Sequence, residues 1–346
     1  MTINRELIIA TVKENVSLSV FDVATGEIVA AVTVGTRDIA KPHEIAVTVD
    51  GTHAFVSLYG DKDYGPNTPD NRLGVVDLRD FSFAGHVDLG LYKGPHALMT
   101  DRDGKIWVTV DPNRCVLVID PVNWEIERTI HLGVPGHFLA ASPDGNTVYF
   151  SAKEYPDVVA VDVGSKAVIN RITLPVGGQA LRVSPDGAHL YLGDFHRPLL
   201  HVIDCAKAER VDTVPLTGVP GWPFNSRDGK IVIVTTYDEP ADRGYVELLN
   251  TADMNSRRVI ELPSEPFHAL PLRDGQHGSW RWRMAILRRS TLSKARMLMA
   301  DSVLGAQCRK PCSIWTSAHR KSPPFPAGFY QLKSCRYSAA VATDSS

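Results

Sequence analysis

The chain has 346 residues and a mass of 37.9 kDa, which suits one large domain or two ordinary ones. Hydrophobic residues make up 44% and charged residues 22%, which excludes disorder or a coiled coil for the bulk of the chain. The net charge of -2 is uneven: of 37 basic and 39 acidic residues, 12 and 2 fall in 278–346, which leaves 25 and 37, net -12, in residues 1–277. An acidic body argues against a nucleic-acid surface, because phosphate contacts need clustered Lys and Arg.

In chain order, Met1-Thr2-Ile3-Asn4-Arg5 runs straight into strand-like sequence without a secretory apolar core. No apolar run approaches the roughly 20 residues of a spanning helix. Five cysteines do not make a disulfide framework. The expectation is a cytoplasmic protein with reduced thiols and no membrane partner.

Repeats then dominate. Asp-Gly recurs at Asp50-Gly51, Asp103-Gly104, Asp144-Gly145, Asp186-Gly187, Asp228-Gly229 and Asp274-Gly275, at intervals of 53, 41, 42, 42 and 46 residues. An apolar triplet ending in Asp keeps step with it: Val20-Phe21-Asp22, Val75-Val76-Asp77, Val118-Ile119-Asp120, Ala160-Val161-Asp162 and Val202-Ile203-Asp204. Each unit holds four short runs of Val, Ile, Leu and aromatics, as at 137–142, 147–152, 158–163 and 168–174. Asp-Gly between the first two runs is a hairpin turn, since Gly accepts positive φ. Four strands per roughly 42 residues predict β-propeller blades. The fold class is therefore all-β, a seven-bladed β-propeller whose first blade (Arg5 to Gly35) lacks its innermost strand.

The stretches Ala141-Ser142-Pro143-Asp144-Gly145-Asn146-Thr147-Val148-Tyr149 and Val183-Ser184-Pro185-Asp186-Gly187-Ala188-His189-Leu190-Tyr191 resemble the repeat core of YVTN-repeat propellers. That superfamily includes YncE-like, lactonase-like and virginiamycin B lyase-like proteins. The resemblance covers residues 5–277, is specific for fold, and implies that the C-terminus supplies the missing innermost strand of the first blade. Function does not follow from it, because the superfamily hosts many activities.

After Gly278 the pattern stops. The remainder holds 12 basic residues, three of the five cysteines and no Glu. Residues 1–277 are thus one propeller domain. Residues 278–346 read as a basic, irregular tail that a shift of reading frame near Gly278 has put in place of the rest of the seventh blade. Reading two bases later permits a strand-rich text with a closing strand that carries a Glu. Cys308, Cys312, His319 and Cys335 lack the spacing of a standard structural zinc site.

The Asp-Gly turns lie on one face of a propeller, and variable polar loops on the other. These loops contribute Tyr59 and the insertion that follows it, Asp111, Lys153 and Glu154, Asp194, His196, Arg197 and Tyr237. Loops on a rigid scaffold are where function concentrates. The starts of the innermost strands read Pro42-His43-Glu44, Pro95-His96-Ala97, Gly136-His137-Phe138, Gly178-Gln179-Ala180, Gly221-Trp222-Pro223 and Phe267-His268-Ala269. Taken as equivalent, they place His43, His96, His137 and His268 in a ring at the channel mouth, with Gln179 and Trp222 completing it.

Three readings of the ring stay open. Converging imidazoles with a carboxylate suit a divalent metal (Mg, Mn, Zn or Fe), as the channel His and Glu of the virginiamycin B lyase-like propellers imply. Imidazoles alone suit acid–base catalysis near neutral pH. A structural role, each His bonding the next blade's backbone, is the third. Lys153-Glu154 reads as a surface ion pair of little worth. Cys115 and Cys205 read as small core residues. The expected function is an enzyme of lactonase, lyase or isomerase-cyclase type acting on a small oxygen-rich molecule. The alternative is a non-catalytic ligand-binding or scaffold propeller. The sequence does not fix the oligomeric state.

Overall fold

The computed structural model describes residues 7–22, 25–37, 39–61, 67–175, 177–262, 266–272, 283–288, 298–301 and 339–341, those beyond Pro266 by their backbone alone. Among the described residues there are six four-stranded antiparallel sheets and one of three strands. From the innermost strand outward, blade two is Lys41–Val47, His53–Gly60, Pro69–Asp77 and Ser82–Asp88. Blade three is Pro95–Thr100, Ile106–Val110, Cys115–Ile119 and Ile126–His131. Blade four is Phe138–Ala141, Thr147–Ser151, Asp157–Asp162 and Ala167–Thr173. Blade five is Gly178–Val183, His189–Asp194, Leu199–Asp204 and Glu209–Pro215, and blade six is Val219–Asn225, Ile231–Asp238, Arg243–Asn250 and Asp253–Leu262. Blade one joins Leu7–Val12, Ser17–Asp22 and Ile28–Thr33 to Ala339–Val341, which pairs antiparallel with Leu7–Val12 on the inner side. The three-stranded sheet is Pro266–Leu272, Arg283–Arg288 and Leu298–Asp301.

The innermost strands lie against one another in chain order, from Lys41–Val47 round to Pro266–Leu272, and Ala339–Val341 lies against Lys41–Val47. This is the architecture of a β-propeller. Its core lies between blades. Alternating side chains of the second and third strands point to opposite neighbours, so both faces are buried. Trp107, Val116 and Val118 of blade three meet Val148, Phe150, Val159 and Val161 of blade four, for example. Outer strands bury far less, as the pattern of Glu209–Pro215 shows. Each fully buried Leu, Ile or Phe contributes roughly 1.5–3 kcal/mol of transfer free energy, and such contacts bind blade to blade.

The Asp-Gly turns behave as expected. Gly51, Gly104, Gly145, Gly187 and Gly229 have φ between 68° and 81°. The turn aspartates accept from neighbouring hydroxyls and backbone N–H groups, as Asp144 does from Ser142 Oγ (2.5 Å) and Asn146 N (3.0 Å). The Ser142 hydroxyl and these N–H groups hold the Asp144 carboxyl down at about 2. In an antiparallel sheet, the turn after the innermost strand is at one end, and the start of that strand lies beside the end of the second strand at the other. The two sets of variable residues therefore share the face opposite the turns.

Candidate active site at the channel mouth

The innermost strands are not regular where they begin. Pairing with the second strand slips between Pro42 and Ile45, Pro95 and Leu98, Gly178 and Leu181, Pro220 and Pro223, and Pro266 and Ala269. Each slip is a bulge in which two residues face one, and a bulge re-aims side chains. The residue opposite is Ser57, Thr109, Gly193 or Thr235 in blades two, three, five and six. Its hydroxyl accepts the N–H of the second bulge residue: Glu44 N to Ser57 (2.9 Å), Ala97 N to Thr109 (2.9 Å) and Trp222 N to Thr235 (3.2 Å).

Ser57 and Thr109, with Thr11 and Ser151 at the equivalent positions of their blades, also donate to the next blade. Thr11 bonds the carbonyl of His43 (3.0 Å), Ser57 that of His96 (2.7 Å), Thr109 that of His137 (3.4 Å) and Ser151 that of Gln179 (2.6 Å). This hydroxyl belt fixes the backbone of the mouth. Sequence reasoning missed it, although a signal existed: Ser57, Thr109, Ser151 and Thr235 lie six or seven residues after their turn aspartates.

The register also corrects the alignment of the ring. Trp222 shares its hydroxyl bond with Glu44 and Ala97, one residue beyond the position of His43 and His96. Gly221 and Phe267 therefore take the ring position in the last two innermost strands, and His268 falls one residue late. The His268 side chain lies outside the described residues.

His43, His96 and His137 do come together. Their side chains are 1 to 3% exposed. Ring centroids are 4.3 Å apart for His43 and His96, and 3.7 Å for the stacked pair His96 and His137. Gln179, 5% exposed, is the next residue round. A second circle comes from the residue two places after each belt position: Lys13, Tyr59, Asp111, Lys153, Phe195 and Tyr237. Tyr59 is buried, with its ring 5.2 Å from His43 and 5.1 Å from His96. Asp111 Oδ2 is 2.6 Å from His137 Nδ1. His96 Nδ1 makes its own 2.6 Å bond to the His137 carbonyl, a contact with the next blade's backbone.

A carboxyl and an imidazole nitrogen at 2.6 Å share a proton. Burial pushes the Asp111 carboxyl up to about 8, against the pull of the Lys153 ammonium and the Tyr59 hydroxyl. Below that value the Asp111 carboxyl keeps its proton, and above it the carboxylate is left to accept from the imidazole.

No family model matches the chain, and no curated protein matches it. Among solved structures it is similar to hydrazine synthase of Kuenenia stuttgartiensis, at a TM-score of 0.58 and 21% identity, over 74% of this chain and 78% of that one. At that identity the likeness shows the fold alone. The fold is a β-propeller.

Other expected site residues fall elsewhere. Lys153 is 5% exposed, not the surface ion-pair member that its neighbour Glu154 suggests, because its stem runs inward and its ammonium lies over the rings of Phe195 (5.2 Å) and Phe138 (5.9 Å). Glu154 is exposed. Asp194 is fully buried and works as a clamp: it accepts from Arg197 Nε (2.9 Å), from His201 Nε2 (3.2 Å) and from two backbone N–H groups. Burial raises the Asp194 carboxyl, but these donors outweigh it and leave the group below its ordinary value. His196 and Arg197 are exposed on the rim. Tyr237 is half-buried, and its hydroxyl donates to Asp242 (2.7 Å). In the insertion after Tyr59, residues 62–66 lie outside the described residues. Burial pushes the Cys115 thiol up to about 11 and raises that of Cys205, which suits inert core residues. Phe138 was not singled out in sequence, yet its ring meets Trp222 edge-to-face at 4.7 Å and floors the mouth beneath the histidines. Ala180, the equivalent residue of the blade between them, is small enough to let the two rings meet.

Proposed function

We propose that the chain is a small-molecule enzyme with its site at the channel mouth, and that the Asp111–His137 pair is its general acid–base group. The observation that carries this reading is the 2.6 Å pair set among buried imidazoles. A neutral pair protonates a leaving or carbonyl oxygen through Nε2–H, and the deprotonated pair removes a proton from carbon or water. Tyr59 and Lys153 hold Asp111 in place, and His96 stacks on His137 to fix its ring. Lactone opening, β-elimination and isomerisation all need such a proton transfer. The one solved neighbour reported above bears the name of an enzyme, a synthase, which accords with a catalytic propeller. The test is a screen of lactones and elimination substrates with the wild type and Asp111→Asn. Turnover that falls 10²- to 10⁴-fold in the variant, at a near-normal melt, supports the pair. Turnover unchanged in Asp111→Asn contradicts it.

A second reading rests on one further observation. His96, Asp111 and His137 can each offer a ligand atom within 4.8 Å of the others. Two imidazoles and a carboxylate suit Zn, Mn or Fe, and the Nδ1 bonds of His96 and His137 are of the kind that orient metal-bound histidines. Such an ion would supply Lewis-acid polarisation of a substrate oxygen. Elemental analysis of protein purified without a metal-affinity tag decides: near-stoichiometric metal lost in His96→Ala/His137→Ala supports the site, and no uptake of added Mg, Mn or Zn rejects it.

We also take the three-stranded sheet as part of a seventh blade, and retain a frame shift near Gly278 as the origin of residues 278–346. An in-frame DNA read across Gly278, matched by the mass of the native protein, would reject the shift.

A further inference from the structure

We propose that Gln179 is the specificity residue of the mouth, and that its side-chain amide selects a small carbonyl compound with a hydroxyl beside the carbonyl. This names a substrate class for the site read above and rests on the mouth being that site.

Gln179 is 5% exposed, yet among the described residues its side-chain Oε1 meets no hydrogen-bond donor. A buried amide oxygen left unmet has given up the bond it made to water, and native proteins rarely keep one without a use for it. The backbone of Gln179, by contrast, is held. Its carbonyl accepts from Ser151 Oγ at 2.6 Å. The two residues before it are glycines at close approaches: a Cβ on Gly177 would meet the Lys153 carbonyl, and one on Gly178 would meet the Leu192 side chain at 2.5 Å. Its own blade supplies no hydroxyl at the bulge, because Gly193 stands where Ser57, Thr109 and Thr235 stand in blades two, three and six. A side chain with a rigid anchor and an unmet polar end is arranged for a ligand. Ser151 also ties Gln179 to the proposed acid–base group, since its carbonyl accepts from the His137 N–H at 2.7 Å while its hydroxyl serves Gln179. A group bound at the Gln179 amide therefore lies beside the group that meets His137. Oε1 only accepts, so its partner must donate, and a hydroxyl donates without bringing a charge into a buried place. A site with such an acceptor discriminates against the analogue that lacks the donor, because the acceptor is then left unpaired.

The test is equilibrium binding to the full chain by ligand-observed NMR, without turnover. The probes are N-methyl-2-pyrrolidinone and its 3-hydroxy derivative, cyclic carbonyl compounds that resist hydrolysis and differ only in the hydroxyl. In the wild type the hydroxylated probe should bind roughly tenfold or more tightly than its parent. In Gln179→Met the two affinities should agree to within about twofold, so that two probes on two proteins isolate the contact. Equal affinity for both probes in the wild type, a preference that survives in Gln179→Met, or no binding of the hydroxylated probe overturns the proposal. The melt of Gln179→Met is a second measurement. An amide oxygen with no partner leaves nothing behind when it is removed, so the variant should melt at or above the wild type. A variant that melts well below it, or does not fold, shows an amide that serves the structure and overturns the proposal. Asp111→Asn separates this proposal from the acid–base reading: it should keep the preference for the hydroxyl whether or not it keeps turnover. A preference lost in Asp111→Asn would assign the hydroxyl to Asp111 and overturn the role of Gln179.

Discussion

At the residue scale, the Asp111–His137 pair makes a specific claim about protons. The folded Asp111 carboxyl holds its proton up to about 8, whereas an ordinary Asp loses it near 3.8. Between those values the folded state binds the extra proton. The contribution of Asp111 to stability is therefore best at or below pH 3.8, worsens as pH climbs, and levels out above about 8. Thermal melts of wild type and Asp111→Asn should diverge in the variant's favour across that window, by on the order of a few kcal/mol. A difference that does not change with pH would show that Asp111 titrates normally. The pH–rate profile should have an inflection near 8 that disappears in the variant. His96 is different, because its Nδ1 supports the His137 backbone. His96→Ala should lose about 1–2 kcal/mol of stability as well as activity, so its melt must be read beside its rate.

At the element scale, the bulge and the hydroxyl belt create the site. The Ser57 hydroxyl serves both the N–H of Glu44 in its own blade and the carbonyl of His96 in the next. Ser57→Ala strips both groups at a buried place and should cost about 1–3 kcal/mol in denaturant unfolding. Blade five breaks the rule with Gly193, for a steric reason: a Cβ there would sit 3.0 Å from Pro220 of the next blade. Gly193→Ser should therefore destabilise, although it supplies the hydroxyl that the other blades use; a stabilised Gly193→Ser would refute this account of the belt. Gly177 is held more tightly still, since its Cβ would meet the Lys153 carbonyl at 1.7 Å. That approach sets the backbone from which Lys153 turns inward. The identities of His43, His96 and His137 were legible from their place after Pro or Gly at each strand start. The shifted register of Trp222 and His268 was not, because a bulge changes facing by one residue and leaves no mark in a hydrophobic pattern.

At the scale of the whole molecule, the turn aspartates and the Asp-ended triplets made the blades legible, since each marks a connection that only a four-stranded repeat needs. Unit four shows how closely: runs expected at 147–152 and 158–163 became Thr147–Ser151 and Asp157–Asp162. The inward turn of Lys153 was not legible. Beside Glu154 it looks like a solvated pair, and only the aromatic rings from its own and the neighbouring blade reveal its burial. The propeller converts small local devices into one chemical centre, because equivalent positions on successive blades must face a common axis. The most direct test of that centre needs no substrate. The carboxyl ¹³C shift of Asp111, assigned by loss of its signal in Asp111→Asn, would be followed from pH 2 to 10. A transition near 8 is expected. An Asp111 carboxyl that titrates near its ordinary value of 3.8 would contradict the account.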